Sequence, residues 1–214
     1  MTSTATLRPL SSQNGANGAK RAALVAAAAL LPALAGAHVG VDGHHHPGFA
    51  TGFMHPLTGL DHLAAMLAVG LWSALAARRA GPELLWAPLG FAGMLLVGAL
   101  LGLAGVAVPA VEPMIAASLL VIGLLAATRL RLPGWAAAAV VGAFAVFHGL
   151  AHGYELAGEA GAAATLAGML AATVLLHATG MAIGWALRHG HAVLARAAGA
   201  GVAALGVFML AQLA

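Results

Sequence analysis

The stretch His55-Pro56-Leu57-Thr58-Gly59-Leu60-Asp61-His62 sets two imidazoles and a carboxylate at the head of a long apolar run. An ionisable side chain inside hydrocarbon costs about 2.5–3.5 kcal/mol on insertion scales unless something pairs with it, so such positions mark function. Around this stretch the 214-residue chain is 62% hydrophobic and 7% charged, with a mean hydropathy of +0.96. Those values do not describe the surface of a soluble globule. The expected fold class is an all-α integral membrane protein. The formal charge of +3 comes from nine basic residues scattered between apolar runs, which read as topology signals rather than a nucleic-acid surface. Nucleic acid is excluded as a partner. With no cysteine in the chain, any metal must be held by nitrogen and oxygen, with methionine as a soft supplement.

Residues 1–21 are polar and end in Lys20-Arg21, Ala22–Leu34 is a short apolar run, and Ala35-Gly36-Ala37 offers small residues to a signal peptidase. This predicts a signal peptide over residues 1–37, cleaved after Ala37, with an uncleaved anchor as the alternative. Cleavage makes His38 the new N-terminus, with an amine and an imidazole on one residue. Residues 38–48 then form a His-rich periplasmic segment, in which His44-His45-His46 reads either as a solvated loop or as a loose metal-capture tract.

Six apolar runs follow, roughly Phe49–Ala77, Leu84–Gly105, Val111–Thr128, Gly134–His152, Ala160–Leu187 and Ala192–Leu213. Each is long enough to cross a bilayer, so residues 49–214 read as a bundle of six transmembrane helices. Arg78-Arg79, Arg129 with Arg131, and Arg188 with Arg196 mark alternate connections, while Glu155 and Glu159 lie in another. By the positive-inside rule the arginine-bearing connections are cytoplasmic, and the mature N- and C-termini are periplasmic. Small residues at Ala195, Gly199 and Ala203 suit close helix packing.

Pro56 suits a first helical position, and Pro56–Ala77 is long enough to span alone. On that reading His55 sits at the outer mouth, with Asp61 and His62 about 8–9 Å deeper. His55 and His62 share a face but stand about 10 Å apart along the axis, which predicts two successive stations unless Gly59 lets the helix unwind. Met66, one turn below His62, reads as packing. The second constellation is Phe147-His148-Gly149-Leu150-Ala151-His152-Gly153-Tyr154-Glu155. The four- and three-residue spacings let His148, His152 and Glu155 face one direction. Counting inward from Glu155, His148 lies at about 10 Å, close to the depth of His62. Two helices thus bring nitrogen ligands to one level from opposite directions. Glu112, before Pro113, either complements its helix dipole or adds a ligand at the mouth. His177 lies about 20 Å or more from the outer end, as a satisfied interhelical histidine or as a lower relay station. His189 and His191 read as loop residues.

At these residues the chain resembles the HupE/UreJ family of nickel/cobalt permeases. The resemblance rests on His55-x5-Asp61-His62 and on Phe147-His148-Gly149-x-Ala151-His152-Gly153-x-Glu155, and the Glu112 segment is similar as well. It implies uptake of Ni(II) or Co(II) from the periplasm through the bacterial inner membrane, for metalloenzyme assembly. The expected metal-ligating residues are His38, His55, Asp61, His62, Glu112, His148, His152, Glu155 and His177. Asp61 and Glu155 serve there either as ligands or as partners that orient the imidazoles. The ion is the substrate, the bilayer is the other partner, no cofactor is bound permanently, and a homo-oligomer is compatible with the sequence.

The chain has no phosphate-binding G-x-x-x-x-G-K-[ST] loop, so it hydrolyses no nucleotide and is not expected to be an enzyme. The rival reading is an intramembrane metal-dependent hydrolase with fixed Zn(II) on the 148/152 pair. H-E-x-x-H places a glutamate base beside its first histidine; here that position is Gly149. A haem protein is the third reading, and the carboxylates beside the histidines argue against its slot.

Overall fold

The computed structural model describes residues 48–214. The signal peptide over 1–37, His38 and His44–His46 lie outside the described residues. Among the described residues seven α-helices follow one another: α1 Phe49–Thr58, α2 Leu60–Ala76, α3 Trp86–Leu103, α4 Val111–Thr128, α5 Gly134–Glu155, α6 Ala162–Leu187 and α7 Ala192–Gln212. A 3-10 turn at Pro82–Leu85 leads into α3. Five of the helices, α3 to α7, are long and apolar enough to cross a membrane, and α1 with α2 passes the same test as a bent pair. Leu89, Leu100, Leu124, Val174, Val193 and Phe208 face outward. An apolar exterior of this kind is what lipid requires and what water penalises.

Glycine makes the close helix crossings. Gly90, Gly98 and Gly102 of α3 meet the backbone of α5, and Gly149 and Gly153 of α5 meet the backbone of α3. Gly70 of α2 and Gly180 of α6 do the same for that pair, as Gly123 of α4 and Gly199 of α7 do for theirs. Without side chains in the seam the backbones approach until dispersion contacts replace the missing hydrophobic drive between helices in lipid. Gly52 of α1 and Gly168 of α6 make a further crossing, and the result is four tight pairs, α1 with α6, α2 with α6, α3 with α5, and α4 with α7.

At one end of the bundle Arg188 donates to the carbonyls of Ala77 and Arg78 at 3.0 and 3.1 Å, and Arg129 donates to the carbonyl of Arg188 at 3.3 Å. The ends of α2, α4 and α6 are thereby tied. At the opposite end the Tyr154 hydroxyl accepts from Val108 N at 2.9 Å and donates to the Val106 carbonyl, fastening the α3–α4 connection over α5. Gly105, with φ 77, provides the left-handed residue that ends α3.

The first apolar run departs from the sequence reading. In place of one straight helix opened by Pro56, the chain forms α1 with Pro56 inside it and turns through 81° into α2. The break falls at Gly59, which is extended with φ −78 and ψ 116. Its carbonyl groups are not left bare: Thr58 Oγ1 donates to Met54 O and His55 O, and Gly59 N also donates to His55 O. Pro56 has no N–H for the Gly52 carbonyl one turn back, and two residues later the Thr58 hydroxyl competes for the carbonyls of the last turn, which completes the stop. The other boundaries move little, and α5 continues past His152 to Glu155.

Candidate metal centre

The bend at Gly59 turns α1 back over the head of α2. His55, from the last turn of α1, therefore approaches His62 near the start of α2, with ring centroids 5.4 Å apart. The roughly 10 Å separation of a straight helix is gone. His152 of α5 enters from the other side, 4.8 Å from the His55 ring and 4.7 Å from the His62 ring. One ring nitrogen from each of the three lies within 4.8 Å of the others. The two successive stations read from the sequence are one cluster.

Metal–nitrogen bonds of about 2.1 Å place neighbouring ligands about 3 Å apart. His62 Nε2 and His152 Nε2 stand 2.8 Å apart. Their other nitrogens are committed: His62 Nδ1 contacts Asp61 Oδ1 at 2.8 Å, and His152 Nδ1 contacts Glu155 Oε2 at 3.5 Å. An ionised carboxylate only accepts, so both Nδ1 atoms carry the hydrogen and both neutral rings present a lone pair from Nε2. Two lone pairs at this distance repel. A cation or a shared proton between them completes the arrangement, and the carboxylate–histidine pairs orient the rings toward it.

His148 adjoins this cluster, its ring 5.4 Å from that of His62. Its partner comes from α4: Ser118 Oγ lies 2.9 Å from His148 Nε2 and donates its one hydrogen to Ile115 O at 2.6 Å. The serine must therefore accept from His148 Nε2–H, which leaves His148 Nδ1 as a buried acceptor without a hydrogen-bond partner. Ser118 carried no periodic signal in the sequence; its only mark was a hydroxyl inside an apolar run. Glu112 stays exposed in the first turn of α4, about 9 Å from Ser118 along the helix, and it is Ser118 that reaches His148. His177 stands apart from the three-histidine cluster, buried against Phe91 with ring centroids 5.3 Å apart. The exposed Glu155 and half-exposed His55 open the cluster toward one end, while His148, at 0% exposure, closes it inward.

Gly59 also shapes the site directly. A Cβ there would lie 3.1 Å from Asp61 Oδ1 and 3.2 Å from His62 Nδ1. Its φ of −78 is open to any residue, so the constraint is the neighbouring Asp61–His62 hydrogen bond and not the backbone. Gly59→Ala is expected to insert normally and to weaken the binding of a divalent metal ion at the cluster about tenfold, at the lower edge of losses seen when an orienting partner is disturbed. Unchanged affinity in titration of the purified variant would exclude this role.

Fold and site together define a polytopic helical membrane protein with an imidazole cluster set inside the bundle. The chain belongs to the HupE/UreJ family: the family model described as HupE / UreJ protein matches residues 25–209. It is similar to Protein HupE of Rhizobium leguminosarum bv. viciae, 43% identical over 187 residues that cover 86% of this chain and 94% of the relative. No solved structure matches the chain.

Proposed function

We propose that the chain carries a divalent transition-metal ion, Ni(II) or Co(II), from periplasm to cytoplasm, with His55, His62 and His152 as the outer binding site. The observation that carries this reading is the pair of inward-facing Nε2 atoms 2.8 Å apart, each on a ring held from behind by a carboxylate. Family membership supports a transporter over an enzyme. Imidazole with carboxylate suits nickel and cobalt, and a site of three neutral ligands can also let go. His148 serves as the next ligand inward, Glu112 and His38 belong to the approach, and His177 is the lower station. Signal cleavage after Ala37, the His-rich segment 38–48 and six spans in 49–214, with both mature termini periplasmic, complete the proposal.

The hydrolase reading gains nothing from the site. The residue where H-E-x-x-H has its base is Gly149, and its Cα hydrogens are pressed against the backbone of Leu95 and Ala99.

The test is accumulation of radioactive nickel, with cobalt and zinc as competitors, in cells expressing the intact chain or His62→Ala at matched membrane levels. Accumulation with the intact chain alone is expected, and equal accumulation in the two strains overturns the site. Acid should act in the same assay. Ligating imidazoles must be neutral, so protons compete with the metal. The nickel concentration for half-maximal uptake should rise once external pH falls into the range where the imidazoles take up protons, with a slope that approaches about tenfold per unit for each proton displaced below it.

A further inference from the structure

Aromatic rings run through the bundle in one file. His55 meets His152 at 4.8 Å, His152 meets His62 at 4.7 Å, and His62 meets His148 at 5.4 Å between centroids. The file then continues from His148 to Phe91 at 5.6 Å and from Phe91 to His177 at 5.3 Å. Five members are imidazoles and one is a phenyl. His177 lies against Gly70 of α2 through its backbone, which puts it about 12 Å deeper than His62, eight residues earlier on that helix.

The two imidazoles that flank the phenyl share a second property. His148 Nδ1 and His177 Nε2 are buried and have no hydrogen-bond partner. Buried polar nitrogens are ordinarily paired, and two orphans on either side of one apolar ring call for a reason. Phe91 itself is fully buried and packs in the core with Met66, Leu95, Val141 and Leu176. Its helix is fixed to α5 by the glycine crossings at Gly90 and Gly98. The backbone beneath the ring is therefore held to the same helix that carries His148, and the ring can clear the file only by turning about its own side-chain bonds or by displacement of α6.

We propose that Phe91 is the barrier residue of the transport pathway: its phenyl interrupts the imidazole file and holds a metal ion in the outer cluster until the ring turns aside and His177 can receive it. The proposal rests on the metal-transport reading above. A phenyl offers no lone pair, and an apolar constriction excludes the water that would otherwise carry a dication past it. The file is thereby divided into an outer binding site and an inner receiving site, with passage between them as the slow step.

The experiment uses the full chain in proteoliposomes, with nickel flux down an imposed gradient and nickel binding in the same preparations read by displacement of a metal-sensitive dye. Phe91→Ala should raise the flux about tenfold, and Phe91→Trp should lower it about tenfold, while dye displacement shows the outer cluster binding as in the intact chain. A half-saturating concentration that stays constant while the maximal rate moves separates a barrier from a ligand or a packing residue. Should Phe91→Ala fail to bind nickel, Phe91→Leu carries the test with the same sign and a rise of about threefold. Wild-type flux in the variants that bind nickel would overturn the barrier. No flux in the intact chain, with binding retained, would overturn the transport reading and the barrier with it.

Discussion

His152→Ala should lower the affinity for nickel at least a hundredfold, beyond the roughly 10–100-fold that loss of an orienting partner costs a metal site. His152 is the hinge of the cluster. It contributes one of the two Nε2 atoms that face each other at 2.8 Å, its ring contacts both His55 and His62, and it is the group to which Glu155 is attached. Alanine removes a ligand and leaves the exposed carboxylate without its imidazole. It also removes the one histidine by which α5 enters the three-residue set, since His55 and His62 come from α1 and α2. The remaining pair has ligands from one side only. His152 is 3% exposed, so an emptied site is a concern for packing as well as for chemistry. His152→Gln, which keeps polar bulk with a poorer ligand, separates the two: it should insert and pack normally and still lose most of the affinity. Titration of the purified variants with nickel decides. Affinity within threefold of the intact chain in either variant would remove His152 from the site.

The sequence made the ionisable residues of the cluster and their approximate level legible, because such groups are so costly in an apolar run that each one stands out. The four-residue spacing of His148 and His152 placed both on one helix face, and α5 carries them so. The run Val111–Thr128 is a helix with those same ends. What stayed hidden was the geometry between His55 and His62. Their seven-residue spacing implies about 10 Å along an unbroken helix, and the apolar character of the run is continuous through Gly59, so periodicity offered no reason to stop. The break comes from a local competition that periodicity does not register. Pro56 leaves the Gly52 carbonyl without its helical donor, Thr58 separately bonds the carbonyls of Met54 and His55 in the last turn, and Gly59 accepts an extended conformation between two helices. Ser118 was hidden for a related reason. A single hydroxyl in a helix ordinarily bonds its own backbone, and Ser118 does so through Ile115 O while also accepting from His148. Which carbonyl it faces is local, but which histidine it meets depends on how α4 docks on α5.

Gly149→Val should abolish both the fold of the α3–α5 pair and metal binding. A Cβ at Gly149 would lie 2.7 Å from Ala99 N and closer still to the Leu95 carbonyl, both backbone atoms that cannot swing away. Overpacking typically costs about 1–3 kcal/mol when side chains can adjust, and more when a helix must move as a body. Here the helix that must move carries His148 one residue before Gly149 and His152 three residues after it. Displacing α5 from α3 withdraws both imidazoles from His62, and it also uncouples Phe91, whose backbone is held by the same seam. The matched control is Gly93→Val, since a Cβ at Gly93 of α3 meets nothing within 4 Å. That variant has the same residue type in the same helix pair and points away from the seam. Size-exclusion profiles and SDS-induced unfolding should show Gly149→Val as aggregated or cleared from the membrane, with Gly93→Val like the intact chain. If Gly149→Val instead purified as a folded protein that bound nickel with unchanged affinity, the close α3–α5 crossing would be wrong, and with it the placement of both α5 histidines. The glycines between the histidines therefore serve the site by what they lack: they bring a second backbone close enough that α5 has one position, and the ring nitrogens it carries have one place to meet.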